Sequence, residues 1–127
     1  MPRERFRNNH NFLPKEALLS FEEIAKVASS CIPLGLEKVR ITGGEPLLRK
    51  DLPKLVEMLS NLGLEIALTT NASLLKKQAQ ALRSAGLTRI TVSLDALDPE
   101  LHSKMSDSNI SVESVLEGIE EAIRVGL

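Results

Sequence analysis

The stretch "VRITGGEPLLRKDLP", residues 39–53, decides the reading of this chain. Val39-Arg40-Ile41-Thr42 is a short β-branched run and reads as a buried strand. Gly43-Gly44 ends it and lets the backbone turn with φ > 0 or approach another group closely. Asp51 then caps a helix, with Pro53 in its first turn, where the missing N–H costs nothing. A glycine turn between a strand and a helix is where α/β proteins place ligands.

The same alternation runs through the rest of the chain. Ser20-Phe21-Glu22-Glu23 is a capping box, followed by Phe21, Ile24, Val27, Ala28 and Cys31 at helical spacing, until Pro33 and Gly35 stop the helix. Strand 38–42 leads into helix 52–61, which Gly63 closes. Strand 65–70 leads into helix 74–84, and strand 89–95 into a short helix that Asp98 caps. Ser111 caps a last helix. Strands and helices alternate about every 25 residues, which predicts a parallel sheet with right-handed crossovers. The strands read as nearly continuous apolar runs, as expected of a sheet covered on both faces. A (βα)₈ barrel needs about 250 residues. The α/β chain is therefore expected to be about half of a barrel, with two open sheet edges through which it can self-associate.

Composition removes several function classes. Of 127 residues, 43% are apolar and 26% charged, and the net charge is −1. That leaves no electrostatic case for nucleic acid, and 2% aromatics without Trp or Tyr argue against stacking on bases. No apolar run approaches the roughly 18–20 residues of a membrane span. The segment "MPRERFRNNHNFLPK" is basic but lacks the apolar core of a secretory signal, and is too poor in Ser to resemble an organelle leader closely. The single cysteine, Cys31, excludes an internal disulfide or a multi-cysteine metal site within one chain; it reads as core. His10 and His102 lack metal-ligand spacing and read as surface residues, as does the basic run Arg49-Lys50.

Three strands end in polar residues that a parallel sheet brings to one rim. The endings are Arg40-x-Thr42-Gly43-Gly44-Glu45-Pro46, Thr69-Thr70-Asn71 and Ser93-x-Asp95. Taken singly, Gly43-Gly44 is more simply a tight turn, Thr69 and Thr70 are good strand formers, and Asn71 and Asp95 commonly start turns. Arg40 is harder to dismiss. A charged strand residue needs a partner, and a phosphate or carboxylate suits its planar donors; an outward position or a structural ion pair is the simpler alternative. Glu45 either caps locally or accepts hydrogen bonds from a ligand ammonium. Three polar endings together favour a ligand.

The segments "FLPKEALLSFEEI", "KVRITGGEPLLRKDLP", "LTTNASLL", "AGLTRITVSLDALDPE" and "SVESVLEGIEEAIRVGL" together resemble the molybdenum cofactor biosynthesis protein A family, radical SAM GTP 3′,8-cyclases, over nearly the whole chain. GGEP alone marks radical SAM enzymes in general; its combination with Arg-x-Thr, TTN and VSLD points to this family. The resemblance implies a partial (βα)₆ TIM-type barrel. It also implies S-adenosylmethionine (SAM), cleaved at an N-terminal [4Fe–4S] cluster, and GTP, held partly by a second cluster. The radical takes the ribose 3′ hydrogen, and carbon 3′ closes onto C8 of the purine. By motif, Gly44 and Ser93 resemble SAM contacts, Gly43, Glu45 and Pro46 complete the turn around its methionine end, and Arg40 and Thr69 resemble GTP contacts.

The resemblance also sets expectations about what this chain lacks. The family's cluster motif ends Cys-x-Tyr-Cys-Met-Pro, and the chain begins Met1-Pro2, so residues 1–127 are expected to be a piece of the radical SAM core, with 1–18 irregular. No cluster is expected on this chain, which alone is expected to be inactive. Asn71 is followed by Ala72, where the family usually has glycine, and Ala resists φ > 0. The family's partner is the cyclic pyranopterin monophosphate synthase that uses its product. The compartment is the cytoplasm for a bacterial source and the mitochondrion for a eukaryotic one. The alternatives are another GGEP-type radical SAM enzyme and a non-catalytic nucleotide-binding or interaction fragment.

Overall fold

Local side-chain hydrogen bonds start the first and the last two helices at their capping residues. In this computed structural model, which describes residues 17–106 and 108–127, Ser20 Oγ accepts from the Glu23 N–H at 3.1 Å and Glu23 Oε2 accepts from the Ser20 N–H at 2.7 Å. Helix α1 (Phe21–Cys31) follows. It then tightens into a 3₁₀ turn containing Pro33 and leaves through Gly35 at φ 95°. His10 and most of the expected irregular segment lie outside the described residues. The apolar face of α1 is narrower than its spacing implies: Ala28 is buried, but Val27 is 58% exposed and Cys31 only half-buried. Cys31 is thus not core, because it sits in the helix's last position, at the margin of the packed face.

Strands β1 (Lys38–Ile41), β2 (Glu65–Thr70) and β3 (Leu87–Val92) form a parallel sheet in the order β1-β2-β3. The β2 bounds match the sequence reading. β3 does not span 89–95: it begins at Leu87 and ends at Val92, so Ser93 and Asp95 lie just past the ladder. The last tie is the Ser93 N–H donating to Thr70 O at 2.9 Å.

The sheet has one apolar and one polar face, which corrects the expectation of strands covered on both sides. Val39, Ile41, Ile66, Leu68, Ile90 and Val92 pack into the core. The register puts Lys38 beside Glu65, Arg40 beside Ala67, Ala67 beside Arg89 and Thr69 beside Thr91. With a side-chain period of two, these residues share the opposite face. β1 and β3 alternate in burial; only the central β2 is buried almost throughout.

The apolar face packs on α2 (Leu52–Ser60) through Leu52, Leu55, Val56 and Leu59, and on α3 (Leu75–Ser84) through Leu75, Ala79 and Leu82. Asp51 stands at the N-cap of α2, but its side chain caps nothing. The backbone there is left-handed, φ 58°, and the carboxylate instead faces Lys54 Nζ at 3.9 Å. Helix α4 (Pro99–Ser106) starts as expected, Asp98 Oδ1 accepting from the Leu101 N–H at 2.8 Å. Ser111 caps α5 (Val112–Arg124), which lies against α3.

Candidate functional site

The turn after β1 is tied to the end of β2 by one carboxylate. Gly43 takes φ 152°, a glycine conformation. Glu45 then caps the 3₁₀ turn Pro46–Leu48. Its Oε1 accepts from the Leu47 N–H at 2.9 Å and the Thr70 hydroxyl at 2.6 Å; its Oε2 accepts from the Asn71 N–H at 2.8 Å. Glu45 thus caps locally. Thr70, buried on the apolar face, also accepts from the Ala72 N–H at 3.0 Å. Ala72 itself adopts φ 61°, left-handed despite its methyl. Neither Thr70 nor its clamp on Glu45 is readable locally, because the two residues are 25 positions apart.

On the polar face, Arg40 reaches across the sheet. Its Nη1 donates to Thr69 Oγ1 at 3.0 Å and to Thr91 Oγ1 at 3.1 Å. Among the described residues, no carboxylate pairs with Arg40. The nearest acid in register, Glu65, is taken by Lys38 at 2.8 Å. That hydrogen bond, with added attraction from Lys38 and Arg89, holds the Glu65 carboxyl below the usual range. Sequence reading missed Thr91: alternation groups it with Arg89 and Ser93, but only the strand register sets it on the face of Arg40. Arg49 is not simply solvated: its guanidinium lies 4.5 Å over the Phe21 ring and donates to Leu19 O.

Ser93 and Asp95 open onto a different hollow, a pocket of about 210 Å³ that Asn71, His102, Ser106 and Ser108 also line. A separate groove beside β1 is lined mainly by apolar residues, Val39, Ile41, Leu52, Leu55 and Leu59 among them, together with Arg40, Thr42 and Pro46. The parallel order thus gathers the turn 43–46, Thr69 and Ser93 at the strands' C-terminal ends, and the Arg40 guanidinium, over Thr69 and Thr91 on the polar face, does not line the hollow that Ser93 lines. His102 is not a surface residue. It is 4% exposed, and its Nδ1 has no partner among the described residues.

The residues present do not fit an iron–sulfur cluster. Such clusters are held by several thiolates, and the chain has one cysteine, at the end of α1. No group of three His, Cys, Asp or Glu side chains able to hold a metal occurs among the described residues.

Comparison with known proteins gives the same parts a context. GTP 3′,8-cyclase of Acidothermus cellulolyticus is 52% identical over 99% of this chain and 35% of its own length. The GTP 3′,8-cyclase of Staphylococcus carnosus is 50% identical over 99% of the chain and 38% of its own length. That of Staphylococcus aureus strain JH9 is 49% identical over the whole chain and 38% of its own length. The chain thus spans little more than a third of these curated relatives. The family model described as Radical SAM superfamily matches residues 5–127, covering the GGEP turn and all three polar strand ends, and on this evidence the chain belongs to the radical SAM superfamily.

Proposed function

We propose that this chain supplies part of the SAM and substrate sites of a GTP 3′,8-cyclase. That enzyme converts GTP to (8S)-3′,8-cyclo-7,8-dihydroguanosine 5′-triphosphate, the first step of molybdenum cofactor biosynthesis. The observation that carries the reading is Arg40: a guanidinium on a polar sheet face, bound to two threonines and to no carboxylate among the described residues. Such a group suits a nucleotide oxyanion. Identities near one half to cyclases, across almost the entire chain, support the choice of nucleotide.

Arg40 and Thr69 bind and orient GTP in this reading. The turn Gly43-Gly44-Glu45-Pro46 and Ser93 hold SAM, which when bound supplies the 5′-deoxyadenosyl group for the radical reaction. Gly44 supports this placement. Its backbone is not left-handed, and a Cβ there would meet nothing within 4 Å. Neither strain nor a clash inside the described chain asks for glycine, whereas close approach of a ligand does. Glu45 braces the turn against β2. No step is assigned to a cluster, since the residues here do not fit one. The product passes to cyclic pyranopterin monophosphate synthase, in the bacterial cytoplasm or a eukaryotic mitochondrion. Through its open β1 and β3 edges the isolated chain self-associates.

The test is a chimera: the matching segment of the S. aureus relative is replaced by this chain, and the loaded protein is assayed for cyclised GTP and for 5′-deoxyadenosine. Cyclisation is the expected result. A chimera that cleaves SAM yet does not cyclise GTP overturns the reading. Arg40→Ala in the active chimera weakens GTP binding and leaves SAM cleavage largely intact; equal loss of both assigns Arg40 a structural role.

A further inference from the structure

Arg40 is long and flexible, and a free arginine on a polar face samples many rotamers. Here it does not hang free. We propose that Thr91 is a positioning residue, which with Thr69 locks the Arg40 guanidinium over β2 and β3 as a preformed oxyanion receptor. The inference deepens the GTP reading and rests on it for the identity of the nucleotide.

The donor count supports this assignment. A guanidinium has five N–H donors in a planar fork. The two on Nη1 go to Thr69 Oγ1 at 3.0 Å and Thr91 Oγ1 at 3.1 Å. Among the described residues the two on Nη2 and the one on Nε have no partner, and Nε with Nη2 is the edge that grips an oxyanion bidentately. Each threonine oxygen accepts from the cation, so each O–H proton stays available to donate onward. Fixing Nη1 therefore holds five donors, three from the guanidinium and two hydroxyls, within the same small area.

The register explains why two threonines are needed. Arg40 stands opposite Ala67, and Thr69 and Thr91 are register partners two residues further toward the strand ends. A single hydroxyl leaves the guanidinium free to swing about that bond, whereas two on adjacent strands define its plane. Ala67, between Arg40 and Arg89 in register, keeps the path across β2 low. The acid that would otherwise compete, Glu65, is already held by Lys38 at 2.8 Å.

Thr91→Val and Thr91→Ser in the full 127-residue chain separate this role from packing. Titrations use GTP, inorganic tripolyphosphate and SAM, and ¹⁵N resonances of the Arg40 side chain are followed without ligand. Thr91→Val should weaken GTP and tripolyphosphate binding about tenfold, the loss of one hydrogen bond to a charged group. SAM binding should stay unchanged. The Arg40 Nη1 and Nη2 signals, distinct in the wild type, should exchange faster in Thr91→Val, and Thr91→Ser should restore both readouts. Unchanged anion affinity in Thr91→Val overturns the inference, as does a Thr91→Ser chain that behaves like Thr91→Val. A wild-type chain that binds neither anion also overturns it. A chain that binds tripolyphosphate in a Thr91-dependent way but gains nothing from the guanosine sustains the receptor and overturns the GTP reading instead.

Discussion

The Thr70 hydroxyl donates to Glu45 Oε1 at 2.6 Å and so joins the end of β2 to the glycine turn that follows β1. The same carboxylate takes the Leu47 and Asn71 N–H groups. Truncating Glu45 leaves three donors without their acceptor. Glu45→Ala should lower stability by about 2–4 kcal/mol and Thr70→Val by about 1–2 kcal/mol, measured by urea unfolding. A double-mutant cycle should show a coupling of about 1 kcal/mol or more. Additive losses would mean that the two side chains do not act together.

Helix α5 approaches the next turn too closely for a side chain. A Cβ on Gly118 would lie 2.8 Å from Ala72 O and 3.2 Å from Leu75 Cβ. Gly118→Ala should cost about 1–3 kcal/mol through overpacking. Ala72→Gly should change little. Relief of the left-handed alanine gives back about 1–2 kcal/mol. Loss of a buried methyl, about 0.8 kcal/mol, and the freedom of glycine in the unfolded chain, about 0.5–1 kcal/mol, oppose it. A net change within about 1 kcal/mol is expected in the same unfolding assay.

Glu65 has its carboxyl pKa lowered, first by the Lys38 hydrogen bond. A carboxylate with a depressed folded-state pKa adds stability above its unfolded value, and this is lost as pH falls through the folded one. Wild-type stability should therefore decline on acidification from the ordinary glutamate range, about pH 4.3, downward. Glu65→Gln should flatten that part of the curve. Thermal melts of both proteins across this range, at low and high salt, measure the difference, which salt should shrink because the pair is exposed.

His102 carries a buried nitrogen without a partner among the described residues. An unmet buried polar atom costs about 1–3 kcal/mol. His102→Phe keeps a planar ring of similar outline and removes that atom. Stability should hold or rise, and a loss above about 1 kcal/mol would show that the imidazole is hydrogen-bonded in solution.

Anaerobic treatment of this chain with iron and sulfide should yield no cluster absorption and no 5′-deoxyadenosine from SAM. One half-buried cysteine cannot replace several thiolates. A brown, monomeric, SAM-cleaving product would contradict this.

Local chemistry was legible in the sequence. The Ser20–Glu23 box, the Asp98 and Ser111 caps and the bounds of β2 depend on hydrogen bonds within a few residues, or on a run of strand formers. The parallel strand order, which sets the three strand ends on one rim, was legible too, from the alternation of strands and helices. Tertiary structure decided what those residues touch. Val27 shares the helical spacing of Ala28 but falls outside the packed stripe. Asp51 occupies a cap position, yet its left-handed backbone turns the carboxylate away. Arg40 meets Thr91 across 51 positions and Glu45 meets Thr70 across 25. A residue's periodicity gives its side of an element, but a hydrogen bond forms only where two chains are brought within about 3 Å, and that juxtaposition comes from packing the whole sheet.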